Sequence, residues 1–104
     1  MEHVGHVWRI RSGRVEEYER RHRTIWPELE AVLRAAGVER WSIHRWDDVV
    51  FSYLACEDYE RLVEVYNADP VASLWEQAFA DLLDYPNADP RTGWPERLKE
   101  VWTL

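Results

Sequence analysis

Cysteine is almost missing from the 104-residue sequence: Cys56 stands alone, so no intrachain disulfide can brace the fold. Its neighbours Tyr53, Leu54 and Ala55 mark it as a buried thiol behaving as a small hydrophobe, not a nucleophile. Positive charge is in deficit, with 13 Lys plus Arg against 20 Asp plus Glu and a net charge of -7. With a pI near 5.0, the chain repels phosphate-coated partners, which argues against nucleic acid. No apolar run approaches the roughly 18 residues of a membrane-spanning helix, so no membrane association is expected. The opening MEHVGHVWRIR lacks the charged start and apolar middle of a signal peptide, and the expected location is the cytoplasm. Repeats and low-complexity segments are lacking too, and the length suits a single domain over 1–104.

Aromatic surface, by contrast, is abundant: seven Trp, five Tyr and two Phe. Rings this bulky are hard to place entirely inside so small a domain, so some are expected at an interface or a site.

Hydrophobic periodicity divides the chain. His3 to Arg11 alternates, with Val4, His6, Trp8 and Ile10 on one face, and reads as a strand. Ser12-Gly13 signals a turn, with Ser12 a candidate cap for a helix carrying Glu16 and Glu17 in its first turn. Helical spacing then runs from Val15 to Ala36, stopped by Gly37. Val38–Trp46 and Val49–Cys56, separated by Asp47-Asp48, form a hairpin. Asp58 opens another helical region, Asp69-Pro70 breaks it, and a further helix runs from Val71 to about Leu83. Residues 84–96, with three prolines, read as loop, and 97–104 as a closing strand with Leu98, Trp102 and Leu104 at even spacing. The order βαββαβ, its second helix split, is an α+β, ferredoxin-like sheet with helices on one face. Strand 49–56 is apolar on both faces, and helices cover only one. A second copy of the same sheet is the simplest cover for the other, so a homodimer is expected.

The stretch EEYERRHRTIWPELE, residues 16–30, places Tyr18, His22 and Trp26 four apart and then inserts Pro27. Proline inside a continuous helix costs about 3 kcal/mol, but little in a first turn. The spacing therefore predicts a helix ending near Arg23 and a second one capped by Thr24. His22 then occupies a C-terminal turn, where the helix dipole favours the imidazolium and would raise its pKa. A tyrosine, histidine and tryptophan on one stripe are also what an ordinary core edge contains. His3 and His6 point to opposite faces of a strand and do not make a metal pair, so no metal is expected.

The longer stretch EEYERRHRTIWPELEAVLRAAGVERWSIH resembles the L-rhamnose mutarotase family, with its Tyr, His four residues later, Ile-Trp-Pro-Glu and a Gly-ended helix. The resemblance extends over essentially the whole chain. It implies a dimeric α/β barrel that interconverts the anomers of a monosaccharide, L-rhamnose or a related 6-deoxy aldose, with no cofactor. It also implies that His22 is the proton donor and that Tyr18 contacts the sugar. The family's sugar-binding tyrosine falls here on Trp41, and its adjacent pair of tryptophans on Trp75-Glu76, so these residues complete the expected binding set. Trp41 and Trp75 would form walls, while water, Glu76 or His44 could serve as the base. A sugar-binding relative without catalysis, or a cofactor-free monooxygenase on the same barrel, are the alternative readings.

Overall fold

Alternation in the first segment is realised as strand β1 (Glu2–Ile10), which turns Val4, His6, Trp8 and Ile10 inward and leaves His3 and Arg9 facing out. The structure, a computed structural model, describes residues 1–104. After β1 come helices α1 (Val15–His22) and α2 (Pro27–Ala35), the hairpin β2 (Val38–Trp46) and β3 (Val49–Cys56), helices α3 (Tyr59–Ala68) and α4 (Pro70–Phe79), and a short strand β4 (Leu83–Asp84). The sheet is antiparallel in the order β2-β3-β1-β4, the ferredoxin-like arrangement. No helix is long and apolar enough to cross a membrane.

The break at Pro27 is real, but its cap is not Thr24. Pro27 occupies the first position of α2, where a backbone N–H would go unused, and the residue before a proline is driven toward extended backbone. Trp26 therefore takes the cap position with φ -64° and ψ 129°, and its carbonyl accepts the Glu30 N–H at 3.1 Å. Ser12 likewise does not cap α1. It lies in the turn that Gly13 makes at φ 77°, two residues before the cap position held by Arg14, which makes no side-chain cap bond. By contrast, Asp58 and Asp69 do cap α3 and α4, Asp69 accepting from the N–H groups of Val71 and Ala72 at 2.8 and 3.1 Å.

The closing strand lies elsewhere than its pattern suggests. Helix α4 stops at Phe79, not Leu83, and Leu83–Asp84 pairs with Arg9 and Ile10 as the fourth strand. Residues 97–104 form no strand: the Leu98 N–H reaches the Gly5 carbonyl at 2.8 Å, and Val101, Trp102 and Leu104 stand in solvent. Even spacing marks a segment suited to a strand, but Leu83–Asp84 pairs with Arg9 and Ile10 at one end of the β1 edge, and farther along that edge the tail makes the single Leu98–Gly5 backbone bond, which is no ladder. The proline-rich loop before this tail is folded down on the core, its Trp94 indole donating to Asn67 at 2.9 Å.

The inner face of the sheet contributes Val4, Trp8, Ile10, Val50, Leu54 and Cys56 to one core with Leu62, Tyr66, Trp75, Phe79 and Leu82 from the other side. The thiol of Cys56 is fully buried, and burial raises its pKa, as expected of an inert cysteine. On the outer face Phe51 and Tyr53 are 42% and 41% exposed, with Trp46 at the edge 74% exposed. Arg21 ties the last turn of α1 to the end of α4, its guanidinium donating to the Ala78 carbonyl and to Asp81, which also accepts from Arg14.

Loss of the α4 cap has a defined cost. Asp69→Ala strips two first-turn donors of their acceptor and should lower unfolding free energy by about 1 kcal/mol. Urea denaturation of both proteins checks this, with an unchanged midpoint counting against the cap.

Candidate active site

Between the inner face of the sheet and α1, α2 and α4 lies a groove of about 500 Å³, closed at one end by the loop carrying Trp94. All five residues singled out from the sequence, Tyr18, His22, Trp41, Trp75 and Glu76, line it.

His22 ends α1. Its Nδ1 lies 3.0 Å from the Tyr18 carbonyl, which can only accept, so Nδ1 carries the proton and the neutral ring keeps Nε2 as a free acceptor. The ring packs 4.2 Å from Tyr18, 4.6 Å from Phe79 and 5.8 Å from Trp75, measured between centroids. Burial among these rings lowers the His22 pKa below its ordinary value, with the Tyr18 carbonyl opposing the shift. The helix-end position had suggested the reverse. The carbonyl does act in that direction, but desolvation outweighs it.

Tyr18 is 3% exposed, and its hydroxyl meets no hydrogen-bond partner in the protein. Burial pushes its pKa up to about 12, opposed by the Trp8 indole N–H, which lies nearby but outside hydrogen-bond geometry, and reinforced by the Glu76 charge. The indole N–H groups of Trp8 and Trp41 are also buried without an acceptor. Three donors of this kind around one groove are costly, about 1–3 kcal/mol each, unless a ligand rich in acceptors offsets them.

Trp41 reaches the groove from β2, where its register opposite Leu54 turns it inward, and it stacks on Trp94 at 5.9 Å and 20°. Trp75 is buried on α4 and meets Trp26 edge-on at 5.1 Å. One residue on, Glu76 accepts a hydrogen bond from the Tyr66 hydroxyl. Its side chain is exposed to the groove, yet surrounding protein raises the carboxyl pKa, against the lowering effect of Tyr66. Because the side chain is open to water, that desolvation is partial.

His44 does not join this set. Its register opposite Phe51 puts it on the outer face at the β2 edge, where Nε2 lies 3.1 Å from Ser42 Oγ and the ring borders a shallower depression beside Tyr18 and His22. His6 is inward and buried, hydrogen-bonded to Tyr59 at 2.8 Å, whereas His3 meets Tyr53 on the outer side. No three His, Cys, Asp or Glu side chains converge to hold a metal.

Sequence reasoning passed over Trp8, Tyr66, Tyr85 and Phe79, all of which line the groove. Trp8 carried a signal, its inward place in the β1 alternation. The contact of Tyr66 with Glu76 joins two helices ten residues apart and depends on how they pack.

A family profile described as L-rhamnose mutarotase matches residues 3–104. An L-rhamnose mutarotase of Salmonella newport (strain SL254) is 32% identical over 100 residues, covering 94% of this chain and 93% of the relative. One from Citrobacter koseri is 31% identical with the same coverage. Among solved structures, the L-rhamnose mutarotase FA22100 of Formosa agariphila superposes with a TM-score of 0.79 at 20% identity, covering 100% of this chain and 99% of that one. Tetracenomycin F2 cyclase of Streptomyces glaucescens, a type-II polyketide cyclase, superposes with a TM-score of 0.59 at 19% identity over the same shares. These two likenesses concern the fold, and both place it in the dimeric α/β-barrel class.

Burial of His6 makes stability pH-dependent. Its pKa is lowered to about 4, first by desolvation and then by the charge of Arg97. A base depressed in the folded state contributes stability above its unfolded pKa near 6.5 and loses it as pH falls toward 4. The loss is at most about 3 kcal/mol. Thermal or urea unfolding between pH 6.5 and 4.5 should show this slope and His6→Gln should flatten it, whereas equal slopes would exclude His6 as the cause.

Proposed function

The chain belongs to the L-rhamnose mutarotase family, and from that premise we propose that the groove opens and recloses the ring of an aldopyranose, interconverting the α and β anomers of L-rhamnose or a related 6-deoxy aldose. It is an isomerase acting on a carbohydrate, and we place it in the cytoplasm. The observation that carries the site assignment is the fixed tautomer of His22: a free Nε2 in a groove where the Tyr18 hydroxyl and the Trp8 and Trp41 indole N–H groups also lack partners.

Ring opening removes a proton from the anomeric hydroxyl, delivers one to the ring oxygen, breaks the bond between ring oxygen and anomeric carbon and forms the carbonyl. Closure on the other face reverses each change. Held neutral by burial, His22 accepts a proton at Nε2 in one half of the cycle and donates it in the other. Tyr18 offers its unpaired hydroxyl to the sugar, and Trp41 and Trp75 supply flat apolar faces of the kind that pack against C–H surfaces. Tyrosine both donates and accepts, but indole only donates, so a hydroxyl facing Trp41 must act as acceptor. With Glu76 adding a carboxyl to the wall, preference among 6-deoxy aldoses is where this chain can depart from its relatives.

The second part of the proposal is a homodimer. Phe51, Tyr53 and Trp46 leave the outer face of the sheet apolar and open, and the exposed Trp102 adds to the apolar surface that a second copy would cover.

Anomer-exchange NMR on L-rhamnose, L-fucose and ordinary aldoses tests the reaction. His22→Ala should keep the fold and lose about 10²-fold or more of the catalysed rate, and Tyr18→Phe, which removes one hydroxyl partner, about 2- to 10-fold. A His22→Ala protein as fast as the parent would remove the assignment.

Sedimentation equilibrium should give twice the chain mass of 12.5 kDa at micromolar concentration. Phe51→Asp, placing charge in the apolar outer face, should shift the protein toward monomer. A parent that stays monomeric would refute the dimer.

A further inference from the structure

Anomer exchange moves two protons, one at the anomeric hydroxyl and one at the ring oxygen, and His22 has one free nitrogen with which to serve them. A second group able to give and take a proton, water or a side chain of the groove, must therefore act beside it. The groove's titratable residues narrow quickly. Burial drives the phenols of Tyr18, Tyr66 and Tyr85 upward, away from neutral pH. On the β1 side the imidazole of His6 is engaged by Tyr59, and at the α2 rim Glu30 is paired with Arg34 at 2.9 Å. Glu39 and Arg40, at the start of β2, are exposed at the same rim.

Glu76 differs from all of these. Tyr66, reaching across from α3, donates its hydroxyl to Oε1, which orients the carboxyl and leaves Oε2 with no protein partner. The side chain is open to the groove, one residue from the Trp75 ring that meets His22. Its charge is felt by Tyr18, whose ring lies against His22. Tyr18, His22 and Glu76 thus line one and the same groove.

Resting on the sugar reaction proposed above, we infer that Glu76, oriented by Tyr66, is the second proton-transfer residue of the site and works at the ring oxygen while His22 Nε2 works at the anomeric hydroxyl. The cycle starts with neutral His22 and a protonated Glu76. Nε2 takes the hydroxyl proton, the electron pair of that O–H bond becomes the carbonyl π bond, the bond between anomeric carbon and ring oxygen breaks, and Glu76 protonates the departing oxygen. The open-chain aldehyde rotates about its C1–C2 bond. Then the Glu76 carboxylate reclaims the proton as the hydroxyl attacks the other carbonyl face, and the His22 imidazolium protonates the carbonyl oxygen. One proton is shared by the pair throughout, and no other reactant is needed. Protein around Glu76 raises its pKa, which favours the protonated starting form, while Tyr66 restrains the rise.

A pair that is active with one proton gives a bell-shaped dependence of rate on pH. The experiment measures exchange by NMR from pH 4.5 to 9 for the parent, Glu76→Gln and Tyr66→Phe, with circular dichroism to verify folding. Glu76→Gln should lose one limb of the bell and about 10²-fold or more in kcat, with KM within a few-fold. In Tyr66→Phe both limbs should persist, but the limb missing from Glu76→Gln should move to higher pH, because the donor that holds the carboxyl pKa down is gone. This second variant decides the matter if Glu76→Gln does not fold. The proposal is overturned if Glu76→Gln keeps both limbs, if it changes KM alone, or if Tyr66→Phe leaves the profile in place. A parent that accelerates no aldose would instead bring down the reaction itself and this assignment with it, whereas an active parent with an unaltered Glu76→Gln brings down Glu76 alone.

Discussion

The pyrrolidine ring of Pro27 forbids a single helix from Val15 to Ala35, and the groove depends on that prohibition. Proline has no N–H to give and crowds the carbonyl four residues back, so the helical run must stop and restart. The chain stops at His22 and restarts at Pro27, with Trp26 extended between them. His22 sits in the last turn of α1, and its side chain bonds back to the Tyr18 carbonyl one turn earlier. Arg21 then pins that last turn to the end of α4, the helix that carries Trp75 and Glu76. The bond to Tyr18 fixes the imidazole tautomer, and the proline break leaves His22 at the helix end that Arg21 holds against α4.

Legibility in the sequence followed the range of the interaction concerned. Strand β1, the hairpin and the opening of α3 at Asp58 depend on neighbours a few residues away and were readable from alternation and turn chemistry, whereas Asp69-Pro70 read as a break and not as the cap that Asp69 makes for α4. Ser12 and Thr24 were plausible caps in composition, but Gly13 and Pro27 fixed the backbone so that neither stood at a cap position. The tail 97–104 showed the period of a strand, and period alone does not report which edge is open. For the site, the family resemblance picked out Tyr18 and His22, which line the groove, whereas Trp26, the third residue of the spacing, does not line it. The direction of the His22 pKa could not be read this way: it depends on Phe79 and Trp75, some fifty residues distant in sequence, closing over the ring.

Three of the five buried polar atoms left without a partner lie at the groove, the other two being Ser52 Oγ and Asn87 Oδ1. Trp8, Tyr18 and Trp41 all leave donors unmet, while Trp94, equally buried, finds Asn67 for its indole. The contrast separates aromatic residues that fill the core from those whose polar edges are kept in readiness. A site of this kind trades stability for recognition, since each unmet donor weakens the free protein and strengthens the bound one.

The sheet has a division of labour with an evolutionary consequence. Odd and even positions of β3 serve different masters: Val50, Ser52 and Leu54 face the core and the groove side, whereas Phe51 and Tyr53 face away. Because neighbouring positions answer to opposite sides of one layer, selection can revise the outer face without touching the residues that back the core and the groove. Descendants of such a protein are free to drift on one side of the layer while holding the other constant.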